Sequence, residues 1–594
     1  MLSNDNELTL KSILLAIILS IILSAANTYL GLFAGMTVSA SIPAAIMSTS
    51  ILRLFKNSNI FENNLVQTSA SAGESLAAGV IFTFPALLLL GYWNNFDYVE
   101  VTKISLIGGL LGVIFTIPLR KTFIVKEKLT YPEGIATSKI LKSRDSSRLG
   151  KIIFQSSLIG GVFKFLQQGL NLWKPSIEHI FRYNKSIYGI ACDLSPALLG
   201  VGYIIGINVG ILILTGGVIS WLIAIPIYTY INNIEGDVNR IAWEIWNSKI
   251  RFLGVGSMLI GGFWSILKLF KPIINGVLLN IKSYNQNEKT EDLSIKYIMY
   301  ILAIILIPLF FIYYNILNTF LFSVILTFIV IIVAFFFSSV AAYMSGIVGS
   351  SNNPISGITI ATILLSALFI KYIGFESQTG MISSILFGAI ICCSAAIGGD
   401  NMQDLKTGHI IGATPWKQQV MQIIGTSVSA ITITFTLNIL HNAYTIGSEL
   451  LPAPQANLMK VIVEAVFNKS LPWNWIYIGI FIGFIIIVID EILEYNKSSF
   501  RLPVLAVAVG IYLPIGLSVP IFIGSLISYF NNTERGTLFA SGLITGEAIM
   551  GILIAIPIFV TGINNWWINN TQIIAILGFL IIIAAIYKQS NKAN

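Results

Sequence analysis

The feature that most constrains this chain is a succession of apolar runs, each about as long as a bilayer is thick, joined by short polar loops. A membrane-crossing helix needs about 20 predominantly apolar residues. Runs of that kind recur near 10–27, 29–51, 66–92, 104–119, 152–171, 194–212, 213–232, 252–272, 297–316, 319–345, 353–373, 380–398, 418–440, 474–492, 501–529, 536–560 and 571–587. Of the 594 residues, 55% are hydrophobic and 10% are charged, against about 25% charged in soluble domains. No polar stretch is long enough for a separate soluble domain of about 50 residues, so the work is done within the bilayer. Some runs merge or re-enter, and the expected fold is an all-α polytopic membrane protein of about 14 to 16 transmembrane helices with broken segments.

Loop charge sets the expected orientation. Arg53 and Lys56 follow the second run, the acidic NNFDYVE follows the third, and Arg120, Lys121, Lys126 and Lys128 follow the fourth. Basic loops face the cytoplasm, so the N-terminus is expected there, in the cell membrane. Nothing at the start reads as a cleavable signal, because Asp5 and Glu7 precede an apolar run that another follows at once. The net charge of +8 falls in these short loops, so no nucleic-acid partner is expected. The mixed-charge stretch 282–296 reads as a connector between an N-terminal half, 1–281, and a C-terminal half, 297–594. Between Asn442 and Trp475, the amphipathic Leu458 to Phe467 reads as a lateral or outward cap. Cys192, Cys392 and Cys393 match no zinc or CxxC spacing, and no metal or cofactor is expected.

Short patterns recur between the halves. Gly73-Glu74 precedes Gly79 and Pro85, as Gly546-Glu547 precedes Gly551 and Pro557; VGYIIGI from Val201 matches VGIYLPI from Val509, with Gly216 and Gly524 at equal offsets. Transporters are commonly built from such repeats with the substrate site between them, although glycine-mediated helix packing alone would explain the same residues.

One segment stands out chemically. Between two apolar runs, CCSAAIGGDNMQDLKTGHIIGATPWKQQ (392–419) places Asp400, Asn401, Gln403, Asp404, Lys406, Thr407 and His409 together. Charge at membrane depth is costly and marks function by default. The pair Gly398-Gly399 and the later Gly408, Gly412 and Pro415 predict a broken helix facing a solute pathway. If the segment is helical, Asp400 and Asp404 share a face with Gln403 and Thr407 beside it; the alternative is a cytoplasmic cap with Asp404 paired to Lys406. Glu74 and Glu547 each follow a glycine at the head of an apolar run, and Glu133 follows Pro132 among basic residues. For Glu74 the choice is between proton carrier and helix cap. Asp490, Glu491 and Glu494 beside Lys497 and Arg501 read as interfacial anchors. His409 is the one group here that ordinarily titrates near neutrality.

Absent motifs narrow the mechanism. There is no phosphate-binding G-x-x-x-x-G-K-[ST], no H-E-x-x-H and no G-x-S-x-G, which leaves a secondary transporter driven by an ion gradient as the simplest class. A membrane-embedded enzyme or a channel stays in view.

Four stretches carry a resemblance that composition does not supply: GDNMQDLKTGHIIGATPWKQQ (399–419), NPISGITIAT (353–362), LTYPEGIATSKIL (129–141) and LLPAPQANLM (450–459). Running along the chain in the family's order, over about Asn27 to Pro557, they make the chain resemble the oligopeptide transporter (OPT) family, in its prokaryotic branch near the yellow stripe-like transporters. The resemblance implies two homologous halves importing small peptides or metal chelates together with protons, with the cargo left open and a homo-oligomer possible. On that basis the expected substrate contacts are Asn353, Pro354, Gln403, Lys406 and Thr407, with the half-helix after Pro354 aiming its positive end at a carboxylate. The expected proton-coupling groups are Asp400, Asp404, Glu74, Glu133, Glu547 and His409.

Overall fold

The computed structural model describes residues 7–55, 58–143, 146–264, 267, 291–350, 353, 355–375, 377–448, 450–467, 472–498, 500–561 and 572–591. Most of the polar connector 282–296, Lys56 and Pro354 lie outside them. In chain order come α1 (Leu10–Ala34), α2 (Ser41–Leu52), α3 (Ile60–Leu89), α4 (Tyr98–Arg120), α5 (Pro132–Lys142), α6 (Ser146–Lys164), the strands β1 (Ser176–Tyr183) and β2 (Ser186–Asp193), α7 (Pro196–Ile205) and α8 (Ile207–Val218). They are followed by α9 (Ile225–Asn232), α10 (Val238–Ile245), α11 (251–264), α12 (Ile295–Leu317), α13 (Phe320–Val348), α14 (Ile355–Tyr372) and α15 (Ser377–Ile411). The chain ends with α16 (Pro415–Tyr444), α17 (Pro454–Phe467), α18 (Trp473–Tyr495), α19 (Val504–Tyr512), α20 (Ile515–Phe530), α21 (Glu534–Thr561) and α22 (Gln572–Asn591).

Among the described residues, twelve helices are long and apolar enough to cross a membrane, and shorter apolar helices lie at Ser41–Leu52, Pro196–Ile205, Ile515–Phe530 and Gly578–Ser590. The fold is the expected all-α membrane type. As expected, several apolar runs are broken into short pieces, so that only the longer helices reach the length of a full span. Gly35, at φ +73°, ends α1, and only the 12-residue α2 follows; Gly206, at φ +79°, separates α7 from α8; Leu513-Pro514 separates α19 from α20. The hairpin is an element the apolar-run reading does not contain. Its strands pair Ser176 with Asp193 through to Tyr183 with Ser186, turning at Asn184 with φ +53°, a conformation that asparagine tolerates.

The chain divides into two compact units, each drawing on both sequence halves: residues 1–151 with 265–469, and residues 152–264 with 470–594. In the first unit α15 packs against α3, α4, α5, α13 and α14, and α3 also packs against α1, α2, α16 and α17. Small residues make this crowding feasible, since close backbone approach is how helices associate in lipid.

The predicted break at Gly398-Gly399 does not occur. Helix α15 runs continuously from Ser377 to Ile411, through both glycines and all the polar residues after them. Intrahelical bonds are the cheapest way to satisfy backbone at membrane depth, and the glycines serve packing: a Cβ on Gly398 would lie 3.0 Å from the Ser338 carbonyl oxygen, and one on Gly399 2.2 Å from Asn353 Nδ2. The real break is at Gly412, φ +84°, where its N–H and that of Ala413 both return to the Gly408 oxygen at 2.9 Å, before Pro415 opens α16. Of the connector, Asp292 is described, and it pairs with Arg120 through two bonds of 2.6 and 2.9 Å.

The second unit contains a reciprocal packing arrangement. A Cβ on Gly202 would meet the Ile521 oxygen at 1.9 Å, and one on Gly510 would meet the Ile213 oxygen at 2.1 Å. Gly216 faces the Val507 oxygen at 2.2 Å, and Gly524 the Leu199 oxygen at 2.0 Å. In the register that matches Val201 with Val509, each contact is the other with its partners exchanged. The helices on either side of the Gly206 and Pro514 breaks thus embrace as a swapped pair.

Candidate functional site

Helix α3 is buried from Glu62 to Leu87, including Gln67, Ser71, Glu74 and Ser75. Its polar face meets that of α15. Glu74, 2% exposed, accepts from the Asn27 side-chain amide on α1 and from the Ala40 N–H at 3.1 Å, just ahead of α2. Asn27 in turn accepts from the Val38 N–H at 3.2 Å. The break between α1 and α2 is therefore pinned by one amide and one carboxylate, and Glu74 stands in the middle of α3 rather than at its edge as a cap.

Asp400 and Asp404 lie one turn apart on α15 and both face α3. Ser75 donates to Asp400, while Ser41 at 3.2 Å and Gln67 donate to one oxygen of Asp404. The other oxygen, Asp404 Oδ2, is buried and has no hydrogen-bond partner among the described residues. Lys406 does not neutralise it; its ammonium donates instead to the Leu129 carbonyl at 2.8 Å.

A cavity of about 170 Å³ opens against this cluster. Glu74 and Asp400 form its acidic wall; residues of the Gly35–Ala40 break, Phe82, Ser350, Asn353, the first residues of α14, and Gln455 of α17 complete it. The sequence-predicted residues divide accordingly. Asn353 lines the cavity with Glu74 and Asp400, whereas Pro354 lies outside the described residues. Gln403, Lys406 and Thr407 do not line it. Gln403 accepts from the Gly134 N–H at 2.8 Å and donates to the Ser345 carbonyl at 2.8 Å, and Thr407 donates to the Gly134 carbonyl at 3.0 Å. These residues tie α15 to the start of α5 and to α13. Glu133 accepts from Ser350, itself a lining residue. His409 is exposed in the last turn of α15.

Glu547 belongs to the second unit and has a cluster of its own. It is fully buried, accepts from both the Ser195 hydroxyl, at 3.0 and 2.9 Å, and the Ala197 N–H, at 2.7 Å, and stands 3.4 Å from the Lys164 ammonium. Nearby, burial raises the Asp193 carboxyl to about 7, opposed by the Lys164 charge and assisted by Glu547 and Glu178. Sequence reading did not single out Asn27, Lys164, Asp193 or Gln455. For Gln455 a signal existed, since it sits inside the LLPAPQANLM stretch.

The chain's relatives fit this arrangement. The family model described as "OPT oligopeptide transporter protein" matches residues 7–558. The chain belongs to the OPT oligopeptide transporter family. A Haemophilus influenzae relative, named "Putative oligopeptide transporter", is 38% identical over 87% of this chain and 90% of its own length. The metal-nicotianamine transporter YSL3 of Arabidopsis thaliana is 26% identical over 86% of this chain and 85% of its own length. The iron-phytosiderophore transporter YSL15 of Oryza sativa is 23% identical over 82% and 80%. In this OPT protein, then, the polar contact of α3 with α15 belongs to a membrane transporter, and no group of three or more His, Cys, Asp or Glu side chains suited to a metal ion occurs among the described residues.

Proposed function

We propose that this OPT protein is a secondary active importer of small peptides across the cell membrane, coupled to protons, with the cavity beside Glu74 and Asp400 as its substrate site. The observation that carries this reading is the cavity itself, bounded by the buried Glu74, the partly buried Asp400, Asn353 ahead of α14 and the helix interruption Gly35–Ala40. Discontinuous helices around a polar site are how secondary transporters hold a solute, and carboxylates at that depth are the groups a proton gradient acts on. Asp404 is the preferred proton carrier. One of its oxygens lacks any donor, so a proton there would turn an unpartnered acceptor into a hydroxyl facing the same polar face. Asp400 is the second choice because it meets the cavity. Glu133, Glu547 and His409 are kept as contributors of lower rank. The N-terminus is assigned to the cytoplasm by the basic loops, with Arg53 and Lys121 on that side and Asp97 opposite.

Metal chelates are the second reading, favoured by the likeness to metal-nicotianamine and iron-phytosiderophore transporters. Uptake by proteoliposomes of mixed di- and tripeptides, and separately of iron and nickel chelates, with and without an inward proton gradient, decides between them. Gradient-dependent accumulation of peptides is expected. Accumulation of chelates alone would replace the cargo, and turnover of substrate in detergent without a membrane would replace transport with catalysis.

A further inference from the structure

The start of α5, Leu129 to Gly134, is held on both flanks. The Thr130 hydroxyl and the Tyr131 N–H both donate to the Gly346 carbonyl, at 2.8 and 3.0 Å. Tyr131 does so from a left-handed backbone, φ +49°, which a bulky residue keeps only where its surroundings hold it there. On the other flank Gln403 and Thr407 grip the N–H and carbonyl of Gly134, and Lys406 donates to the Leu129 carbonyl at 2.8 Å. Between these clamps stands Glu133, in the first turn of α5 behind Pro132. It is half-buried, while Lys128, Thr130 and Pro132 beside it are exposed. A Cβ on Gly349 would lie 3.0 Å from Glu133 Oε1, so glycine at that position leaves the carboxylate room against the segment after α13.

What Glu133 reaches there is Ser350, whose hydroxyl donates to it. Ser350 also stands at hydrogen-bond distance from the Asp400 carboxylate, and both line the cavity. A hydroxyl donates and accepts at once, so one side chain joins a carboxyl group of the cavity to another at the exposed end of α5. Ser75, which also donates to Asp400, is buried within α3, whereas Ser350 leads outward. The titratable groups facing Asp400 are Glu74 from α3, Asp404 from its own helix and Glu133 from α5. Those near Glu133 are Asp400, Lys406 at the Leu129 carbonyl, and Lys126, Glu127 and Lys128 of the preceding loop.

We propose that Ser350 relays protons between Asp400 and Glu133, and that Glu133 is the port at which a proton carried at the substrate site leaves the protein. This relay presupposes the proton coupling proposed above. In the step, protonated Asp400 donates to Ser350 Oγ while Ser350 donates to Glu133. The O–H bond of Asp400 breaks as a new one forms on Oγ, and the original Oγ–H bond breaks as one forms on Glu133. Asp400 is left a carboxylate, Glu133 a carboxylic acid and Ser350 a hydroxyl, with charge conserved and no further reactant. From Glu133 the proton passes to water beside the basic loop, on the side that loop charge assigns to the cytoplasm. An importer must discharge there the proton that entered with its solute. Gln403 and Thr407 are then positioning residues, holding Glu133 against Ser350 through Gly134.

The test reconstitutes the full chain in proteoliposomes and takes, for a labelled pool of di- and tripeptides, the ratio of proton-driven uptake to counterflow without a gradient. Counterflow exchanges solute with the proton kept in place, so the relay is needed for uptake alone, and the ratio cancels changes in solute binding. Ser350→Thr keeps a hydroxyl, and Ser350→Val has nearly the same shape without one. The threonine variant should hold the wild-type ratio, and the valine variant should lower it by about tenfold or more, as removal of a positioned proton-transfer group does. Glu133→Gln can still accept from Ser350 but cannot take the proton, and should lower the ratio likewise; it decides the matter if Ser350→Val does not fold. Equal ratios in the threonine and valine variants, or a wild-type ratio in Glu133→Gln, overturn the relay, while proton-driven uptake by the wild type still upholds the coupling. No proton-driven uptake by the wild type overturns both.

Discussion

Glu74 accepts the main-chain N–H of Ala40 at 3.1 Å, and so closes from α3 the gap between α1 and α2. In the second unit Glu547 stands in the same relation to Ala197, at 2.7 Å, at the head of α7. A carboxylate offers only acceptors at such a point, where the first N–H groups of a helix have no partner of their own. In Glu74→Gln the new NH₂ group would face the Asn27 amide that now donates. The variant should lose about 1–3 kcal/mol of stability through a buried donor left unmet, read as a lower midpoint in thermal unfolding. An unchanged midpoint would mean that the break is held by something else.

Gln403 and Asn353 make a paired test. Gln403 has its amide fully engaged with Gly134 and Ser345, whereas Asn353 lines the cavity, its Nδ2 donating to the Ala341 carbonyl. Gln403→Ala should cost stability, about 1–3 kcal/mol, with substrate affinity per folded molecule unchanged. Asn353→Ala should weaken binding by a comparable amount. Weaker binding in Gln403→Ala at wild-type stability would return it to the substrate site.

The reciprocal glycines of the second unit predict matched damage. Alanine at Gly202 or Gly510 would bring Cβ within 1.9 or 2.1 Å of a backbone oxygen, Ile521 or Ile213. Overpacking of this kind costs about 1–3 kcal/mol. Both variants should fall by similar amounts in a chemical denaturation series, and a tolerated change at one site with collapse at the other would break the equivalence.

Much of this was legible in the sequence because lipid leaves few options. Long apolar runs must be helices, and rare charges within them must be sheltered, so Glu74, Asp400 and Asp404 stand out on composition alone. What could not be read was which polar residue satisfies which neighbour. Gln403, Thr407 and Asn353 have similar chemistry, yet two are consumed by Gly134 and one reaches the cavity. Gly398-Gly399 has the same ambiguity: the pair signals either a break or a close approach, and only the neighbouring Ser338 and Asn353 decide. Gln455 carried only the signal of lying inside LLPAPQANLM, since a lone glutamine in a 14-residue helix adds no periodic or charge signal of its own.

Asp193 predicts a pH dependence. Its folded value, about 7, lies above the ordinary carboxylate value because burial disfavours its charge. A group whose pKa is raised on folding contributes stability that is present below the unfolded pKa, near 4, and that is lost as pH rises through the folded value. The wild type should therefore lose stability relative to Asp193→Asn between about pH 4 and pH 7, with the gap constant above. Parallel melting curves across that window would show that Asp193 is ionised at no cost, balanced by Lys164.

Coupling should depend on Asp404 in a way that separates it from Glu74. Asp404 uses one oxygen for Ser41 and Gln67 and leaves the other without a donor. Asp404→Asn keeps the first oxygen and places an NH₂ group where the unpartnered oxygen was, so it should lose about 1–3 kcal/mol of stability, as an unmet buried donor does, and its melting midpoint shows whether it stays folded. What it loses is the ability to take up and release a proton. Solute binding and protonation are linked equilibria, and removing one leaves the other measurable. Counterflow of substrate in proteoliposomes without a gradient should survive, while proton-driven accumulation falls to the level set by equilibration. Asp400→Asn should lose both, since its carboxylate meets the cavity as well. Full pH-dependent accumulation in Asp404→Asn would move the proton to Asp400, to Glu133, or to a different driving ion, and the Asp400→Asn counterflow would distinguish the first of these from the rest.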